Sequence, residues 1–326
     1  MTIIPSQMLK RFRRCCFFGA VLLFSGPTSC TQSLSSTPAS TISVKTNLVV
    51  LPVSVTDANG NVILGLNEQD FRVYEDGRLQ KLIFFKQGDT PVTVGLIVDH
   101  SRSMAAKLTD VAAAVSSFAQ SSNPQDEMFV VDFNDDVSVE LLDGKPFTND
   151  PAELAKAIFS VRARGRTALY DAVAEGLLHL QLGHSVRKAL IIVSDGGDNA
   201  SLEKFSHLLT LSQQSQVLIY SIALIDEDGD VNPGVLRRLS KATGGIAYFP
   251  DATHTVTSIS AQIARDLREQ YTLGFAPEDA NNVHAFRKIE VKVASPGKEK
   301  IHIRTRSGYF AADEKPSPAL AAQVSK

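Results

Sequence analysis

The chain is expected to be an α/β protein whose doubly wound, mostly parallel sheet is inserted between two flanking β segments, and three observations carry that expectation. Between Pro91 and Gln270, continuously apolar strands alternate with helical stretches, the pattern of a parallel sheet covered on both faces. From Asn47 to Gln87, and again after Gln270, the texture changes to short strand-like runs separated by turn dipeptides. The length of 326 residues exceeds the ~250 at which single cores stop growing, so two folding units are expected.

The first thirty residues stand apart. Lys10, Arg11, Arg13 and Arg14 form a basic segment, followed by the apolar run Cys15 to Phe24, which has the length of a signal peptide rather than of a membrane span. Residues 1–30 are therefore expected to direct export, to the periplasm, the cell envelope or the medium. No later segment approaches the ~18 apolar residues needed to cross a bilayer. The three cysteines, Cys15, Cys16 and Cys30, all lie in or just after that run, which rules out a disulfide framework in the body of the protein. Cys30 and the Ser/Thr-rich linker at 31–46 resemble the acylated cysteine and tether of a bacterial lipoprotein, with Pro27 where such signals usually carry Leu. Lipidation at Cys30 and ordinary cleavage nearby both remain open, and a lipid anchor would be the only contact with a membrane.

In the N-terminal β segment, 47–88, the runs NLVVLPVSVTD, NVILGL, FRVYEDG and KLIFFKQ predict four strands, with Asn59-Gly60 and Asp76-Gly77 as turn signals. The C-terminal segment, 271–310, predicts three more in YTLGFAP, RKIEVKVASPG and KIHIRTRSGYF. Four and three make seven, so the two segments are expected to meet in one immunoglobulin-like β-sandwich. The intervening region, 91–270, contributes the strands VTVGLIV, EMFVVDF, KALIIVS and VLIYSIAL, with Val137 to Leu141 as an antiparallel edge. Met104, Leu108, Val111, Val115 and Phe118 recur at helical spacing. Asp150-Pro151-Ala152-Glu153 reads as a cap, a first-turn proline and a capping box. Further helices are expected at Ala168 to Gln181, Leu202 to Ser215, Pro233 to Ala242 and Val256 to Gln270, and the tail at 311–326 is expected to be disordered.

Composition excludes some functions. With 44% hydrophobic residues, 21% charged and a net charge of -2, the chain reads neither as disordered nor as a nucleic-acid binder. The chemistry gathers instead where VGLIVDHSRSM places Asp99, Ser101 and Ser103 on the loop leaving the first central strand, the end of an α/β sheet at which ligands collect. One carboxylate and two hydroxyls at alternate positions can converge as hard oxygen donors for a divalent cation. Alone the triplet is weak, because Ser and Asp are also ordinary caps and loop residues. Two later pieces strengthen it: GRTALYDAV at Gly165 to Val173 supplies a loop Thr before a helix, and IIVSDGGDN at Ile191 to Asn199 supplies an Asp after a buried strand.

Together the three pieces resemble the metal-ion-dependent adhesion site of von Willebrand factor type A (vWA) domains, which are Rossmann-like. The flanking β segments, with EDG at Asp76 and RSGY at Tyr309, further resemble bacterial vWA-containing proteins of unassigned function. The resemblance implies that Ser101, Ser103 and Thr167 contact the metal through hydroxyls, and Asp99 and Asp195 directly or through water. Mg²⁺ is expected first, with Mn²⁺ or Ca²⁺ as alternatives. Few direct carboxylates would leave the cation under-neutralised, ready for the anionic oxygen of a protein or other ligand.

Arg102 and Arg166 stand where vWA loops often carry Gly, with His100 and Arg164 nearby. Pointing outward they would form a positive rim for an acidic partner; otherwise they are solvated or paired with local acids. Asp226, Glu227, Asp228 and Asp230 crowd one loop without EF-hand spacing, and the histidines lack ligand spacing. GxSxG, HExxH and Walker A sequences are absent, so a binding module is expected rather than an enzyme. The alternatives are a scaffold of an envelope complex and, behind it, a metal-assisted hydrolase.

Overall fold

Eight consecutive buried residues, Val92–Asp99, form the strand at the middle of the molecule (β5), and everything that positions the candidate site is arranged around it. The computed structural model describes residues 48–139, 141, 144–225, 232–277, 285–294 and 300–310. The expected signal peptide, the linker, Cys30, the acidic loop at Asp226 to Asp230 and the tail lie outside the described residues.

The central sheet has the order β10-β9-β8-β5-β6-β7. Its members are β5, β6 (Glu127–Phe133), β7 (Val137–Val139), β8 (Arg187–Ser194), β9 (Leu218–Ala223) and β10 (Ala247–Tyr248). All neighbours are parallel except β7, the antiparallel edge that the run after β6 predicts. Because both faces are covered, these strands read as unbroken apolar runs rather than as alternating ones.

On one face Val94, Leu96 and Val98 pack with α1 (Leu108–Ser121), α2 (Pro151–Ser160) and α6 (Val256–Glu269). On the other, Ile97, Phe129 and Val131 pack with α3 (Leu169–His179), α4 (Phe205–Gln214) and α5 (Pro233–Thr243). Asp150 caps α2, accepting from the Ala152 N–H at 2.8 Å. Glu153 does not close the expected capping box: it accepts from Thr148 Oγ1 at 2.6 Å and Lys145 Nζ at 3.0 Å, nearer partners that the turn before the helix brings to it.

The flanking segments pair with each other. The first sheet, β13-β1-β11-β4, comprises β13 (His302–Arg304), β1 (Val49–Thr56), β11 (Tyr271–Phe275) and β4 (Leu82–Gln87). The second, β14-β12-β2-β3, comprises β14 (Gly308–Phe310), β12 (Phe286–Val293), β2 (Phe71–Glu75) and β3 (Arg78–Gln80). Val49, Leu51 and Val53 of β1, Phe71 and Val73 of β2, Tyr271 and Leu273 of β11 and Ile289 of β12 share one apolar cluster between them.

Among the described residues these two sheets hold eight strands, not the seven expected of an immunoglobulin-like sandwich, and three differences account for it. NVILGL is not a strand: after one bridge at Val62 it wraps over the Tyr271 hydroxyl, which donates to the Ile63 carbonyl and accepts from the Leu66 N–H, each at 3.0 Å. Asp76 and Gly77, at φ 49° and 81°, instead turn β2 back into the additional strand β3. KIHIRTRSGYF, expected as one strand, is split into β13 and β14, which serve different sheets.

Candidate metal centre

Parallel strands β5 and β8 are neighbours, so their carboxyl ends deliver Asp99 and Ser194-Asp195 to one place. Asp99 is fully buried. Its Oδ1 accepts from the Ser101 N–H at 2.8 Å, which folds the loop back on itself, and its Oδ2 accepts from Ser194 Oγ at 2.6 Å. Ser101 Oγ lies 3.1 Å from Ser103 Oγ, and Ser103 Oγ donates to Asp195 Oδ2 at 2.8 Å. The other Asp195 oxygen accepts from the Gly197 N–H at 2.9 Å. Asp99, Ser101, Ser103 and Asp195 thus form one connected oxygen cluster, and exposed Ser103 brings it to the surface. Beyond Ser103, buried Met104 plugs the loop into the core beside Val98.

Thr167 arrives by main-chain contacts. Its N–H donates to Asn199 Oδ1 at 3.0 Å, and its carbonyl accepts from the Asn199 N–H at 2.9 Å. Ala168 N–H donates to the Asn134 carbonyl, and Arg164 N–H to the His100 carbonyl, each at 2.8 Å. The Thr167 loop is therefore tied both to the loop after β5 and to the loop after β8. Its hydroxyl makes no hydrogen bond among the described residues. Gly165 is required here: at φ 72°, a Cβ on it would come within 1.7 Å of Asp135 Oδ2. Gly196, at φ 84°, likewise leaves room for the Asn232 carbonyl.

Two carboxylates approach each other here, and no ion pair to either is formed among the described residues. Burial raises the Asp99 pKa above the carboxylate range, the Asp195 charge raises it further, and hydrogen bonds from Ser101 and Ser194 oppose the rise. The four connected groups, and the Thr167 hydroxyl on the loop tied beside them, are hard oxygen donors of the kind a small divalent cation takes. No group of three or more His, Cys, Asp or Glu with metal-ligand geometry occurs among the described residues.

The expected rim needs correction at His100, which is fully buried and cannot face a ligand. Its Nδ1 lies 3.0 Å from Asp132 Oδ1, and its Nε2 lies 2.8 Å from the Ile158 carbonyl. Burial pulls the imidazole pKa down, but the Asp132 carboxylate and the Ile158 and Val98 carbonyls outweigh it, so the net shift is upward. Arg102, Arg164 and Arg166 are exposed. Arg166 is engaged locally, with Nε 2.8 Å from Asp135 Oδ1.

Several positioning residues escaped the sequence reading. Asn199 clamps Thr167, Ser194 holds Asp99, and Asp171 accepts from the Leu202 and Glu203 N–H groups at 2.9 Å. A hint was available in SDGGDN, whose polar residues close or follow a buried strand, but which of them reaches Asp99 or Thr167 depends on contacts far along the chain.

Residues 94–197 match the family model described as the von Willebrand factor type A domain. Among solved structures the chain is similar to a von Willebrand factor type A protein from Catenulispora acidiphila, at 14% identity and TM-score 0.49, covering 75% of this chain and 74% of that one. It is also similar to the vWF domain of the type V pili tip protein from Porphyromonas gingivalis, at 12% identity and TM-score 0.44, covering 56% and 97%. A third likeness is to mussel byssus proximal thread matrix protein 1 with a zinc-occupied MIDAS motif, at 16% identity and TM-score 0.47, covering 60% and 50%. Among curated proteins none matches. All five candidate ligands fall inside the matched segment, and that part of the chain, an α/β unit with its oxygen cluster at the carboxyl edge of the sheet, belongs to the von Willebrand factor type A family.

Proposed function

We propose that this chain is a metal-dependent binding module in which Asp99, Ser101, Ser103, Thr167 and Asp195 hold one divalent cation, Mg²⁺ before Mn²⁺ or Ca²⁺. The observation that carries the reading is the cluster joining Ser101, Ser103 and Asp195 beside buried Asp99, with no protein cation paired to either carboxylate among the described residues. Two acids desolvated together are costly unless something positive joins them. Hydroxyls rather than further carboxylates complete the set, and a bound cation would supply Lewis acidity toward one more anionic oxygen.

The ligand proposed is a protein or other partner offering such an oxygen at Ser103, the exposed member of the cluster. Exposed Arg102, Arg164 and Arg166 on the same loops favour an acidic partner. The basic and apolar N-terminal residues support export, and we place the module at the cell envelope, 91–270 forming the metal-bearing unit on the β platform of 47–88 and 271–310.

The test is capture from envelope extract by the immobilised chain. Capture in Mg²⁺ that is lost in EDTA and in Asp99→Ala, with the variant's circular dichroism unchanged, is the expected result. Capture indifferent to both would overturn the reading.

A further inference from the structure

His100 sits between two proposed ligands, Asp99 and Ser101, yet takes no part in the surface. Its ring is enclosed by acceptors: Asp132 Oδ1 at 3.0 Å and the Val98 carbonyl at 3.3 Å on the Nδ1 side, and the Ile158 carbonyl at 2.8 Å on the Nε2 side. Asp132 is fixed in register opposite Val98 on β6, and Ile158 lies near the carboxyl end of α2. The His100 backbone is equally engaged. Its N–H donates to the Phe133 carbonyl at 2.7 Å, and its carbonyl accepts from the Arg164 N–H at 2.8 Å, three residues before Thr167. One residue therefore touches the end of β6, the end of α2 and the start of the Thr167 loop.

We propose that His100 is a positioning residue, whose buried ring, anchored by Asp132 and the Ile158 carbonyl, locks the Asp99–Ser103 loop and the Arg164–Thr167 loop together so that their oxygens reach the metal as one unit. The proposal rests on the metal reading above and adds to it a residue that contacts no metal. Groups of this kind, which orient ligands from behind, typically change metal affinity by about 10- to 100-fold when removed. The sheet alone cannot do this work: it places Asp99 and Asp195, but Thr167 lies between α2 and α3, and Arg164 N–H to the His100 carbonyl is its link to the loop after β5.

The experiment measures Mn²⁺ binding to the full chain by calorimetry, and amide hydrogen exchange of the metal-free protein. His100→Ala leaves Asp132 as a buried carboxylate without its imidazole, so the double variant His100→Ala/Asp132→Asn is measured beside it to keep the fold. Asp132→Asn alone retains an acceptor for Nδ1 and is the conservative variant. The expected result is Mn²⁺ affinity lowered about tenfold or more in both His100→Ala proteins and within about threefold of wild type in Asp132→Asn. Faster exchange at the Ser101 and Arg164 amides should accompany the loss, with β8 amides unchanged. Wild-type affinity in the double variant would overturn the proposal. Should the wild type itself not bind Mn²⁺, the metal reading fails, and unchanged exchange at Arg164 would then overturn the loop lock separately.

Discussion

The two ends of β8 carry opposite kinds of polar chemistry. At the carboxyl end, Ser194 and Asp195 meet Asp99 in a cluster with no protein cation paired to its acids among the described residues. At the amino end, Arg187 donates to Gln270 Oε1 at 2.7 Å, and Gln270 donates in turn to Tyr220 OH and Ser54 Oγ. That network closes on Asp266, which accepts from Ser54 at 3.0 Å and from Tyr220, and which pairs with Arg304 of β13. Arg304 also donates to the Gly244 carbonyl after α5, so β1, β9, β13, α5 and α6 are joined there. An acid with its own guanidinium, as Asp266 has in Arg304, is a structural joint, whereas acids gathered with hydroxyls are the donor set proposed above for a cation.

Substitutions that reverse or erase that asymmetry test it. The largest effect is expected from Asp266→Ala, which strands the Arg304 guanidinium and should destabilise the chain by about 3 kcal/mol or more in chemical denaturation, without metal dependence. Asp126, also at the amino edge, is pushed up to about 6 by burial, against N–H donors from Val92 and Asn123. A raised folded-state pKa means that the native protein binds more protons than the unfolded chain between the ordinary aspartate value of 3.8 and that point. The associated stability is then full at acid pH and falls by roughly 3 kcal/mol as pH rises through 6. Urea midpoints across that range should show the decline in wild type and not in Asp126→Asn.

The carboxyl end should respond to metal instead. Mg²⁺ at about a hundred times its Kd should add about 2.7 kcal/mol to unfolding, read as a rise in Tm, and Asp99→Ala should erase it. Without metal, Asp99→Asn should be neutral or stabilising by about 1 kcal/mol, because it removes a buried charge that faces Asp195. A large loss there would show that the acids are already compensated and would break the contrast. The smallest change is expected from Arg102→Glu/Arg166→Glu. Breaking the exposed Arg166–Asp135 pair should leave the unfolding midpoint nearly unchanged, while capture of an acidic partner weakens.

Period and punctuation made most of the architecture readable in advance. Unbroken apolar runs set β5, β6, β8 and β9, and Asp150-Pro151 started α2, because these are local patterns that hold wherever the chain goes; DxSxS with Thr167 and Asp195 named the candidate site through a resemblance. The flanking segments were legible as β but not in their divisions: NVILGL has strand composition and is claimed instead by the Tyr271 hydroxyl, more than two hundred residues away. His100 shows the same limit at the site. A histidine in a polar loop reads as surface, and only the placement of Asp132 on β6 and Ile158 on α2 buries its ring. By itself the amino-acid sequence determined which residues could serve as oxygen donors and which segments would be strands or helices, since residue type and spacing control both. The tertiary structure alone decided that Asp99 and Asp195 at one end of β8 stand without a protein cation among the described residues while Asp266 at the other end pairs with Arg304, because charge compensation depends on which distant side chains the fold brings within hydrogen-bonding reach.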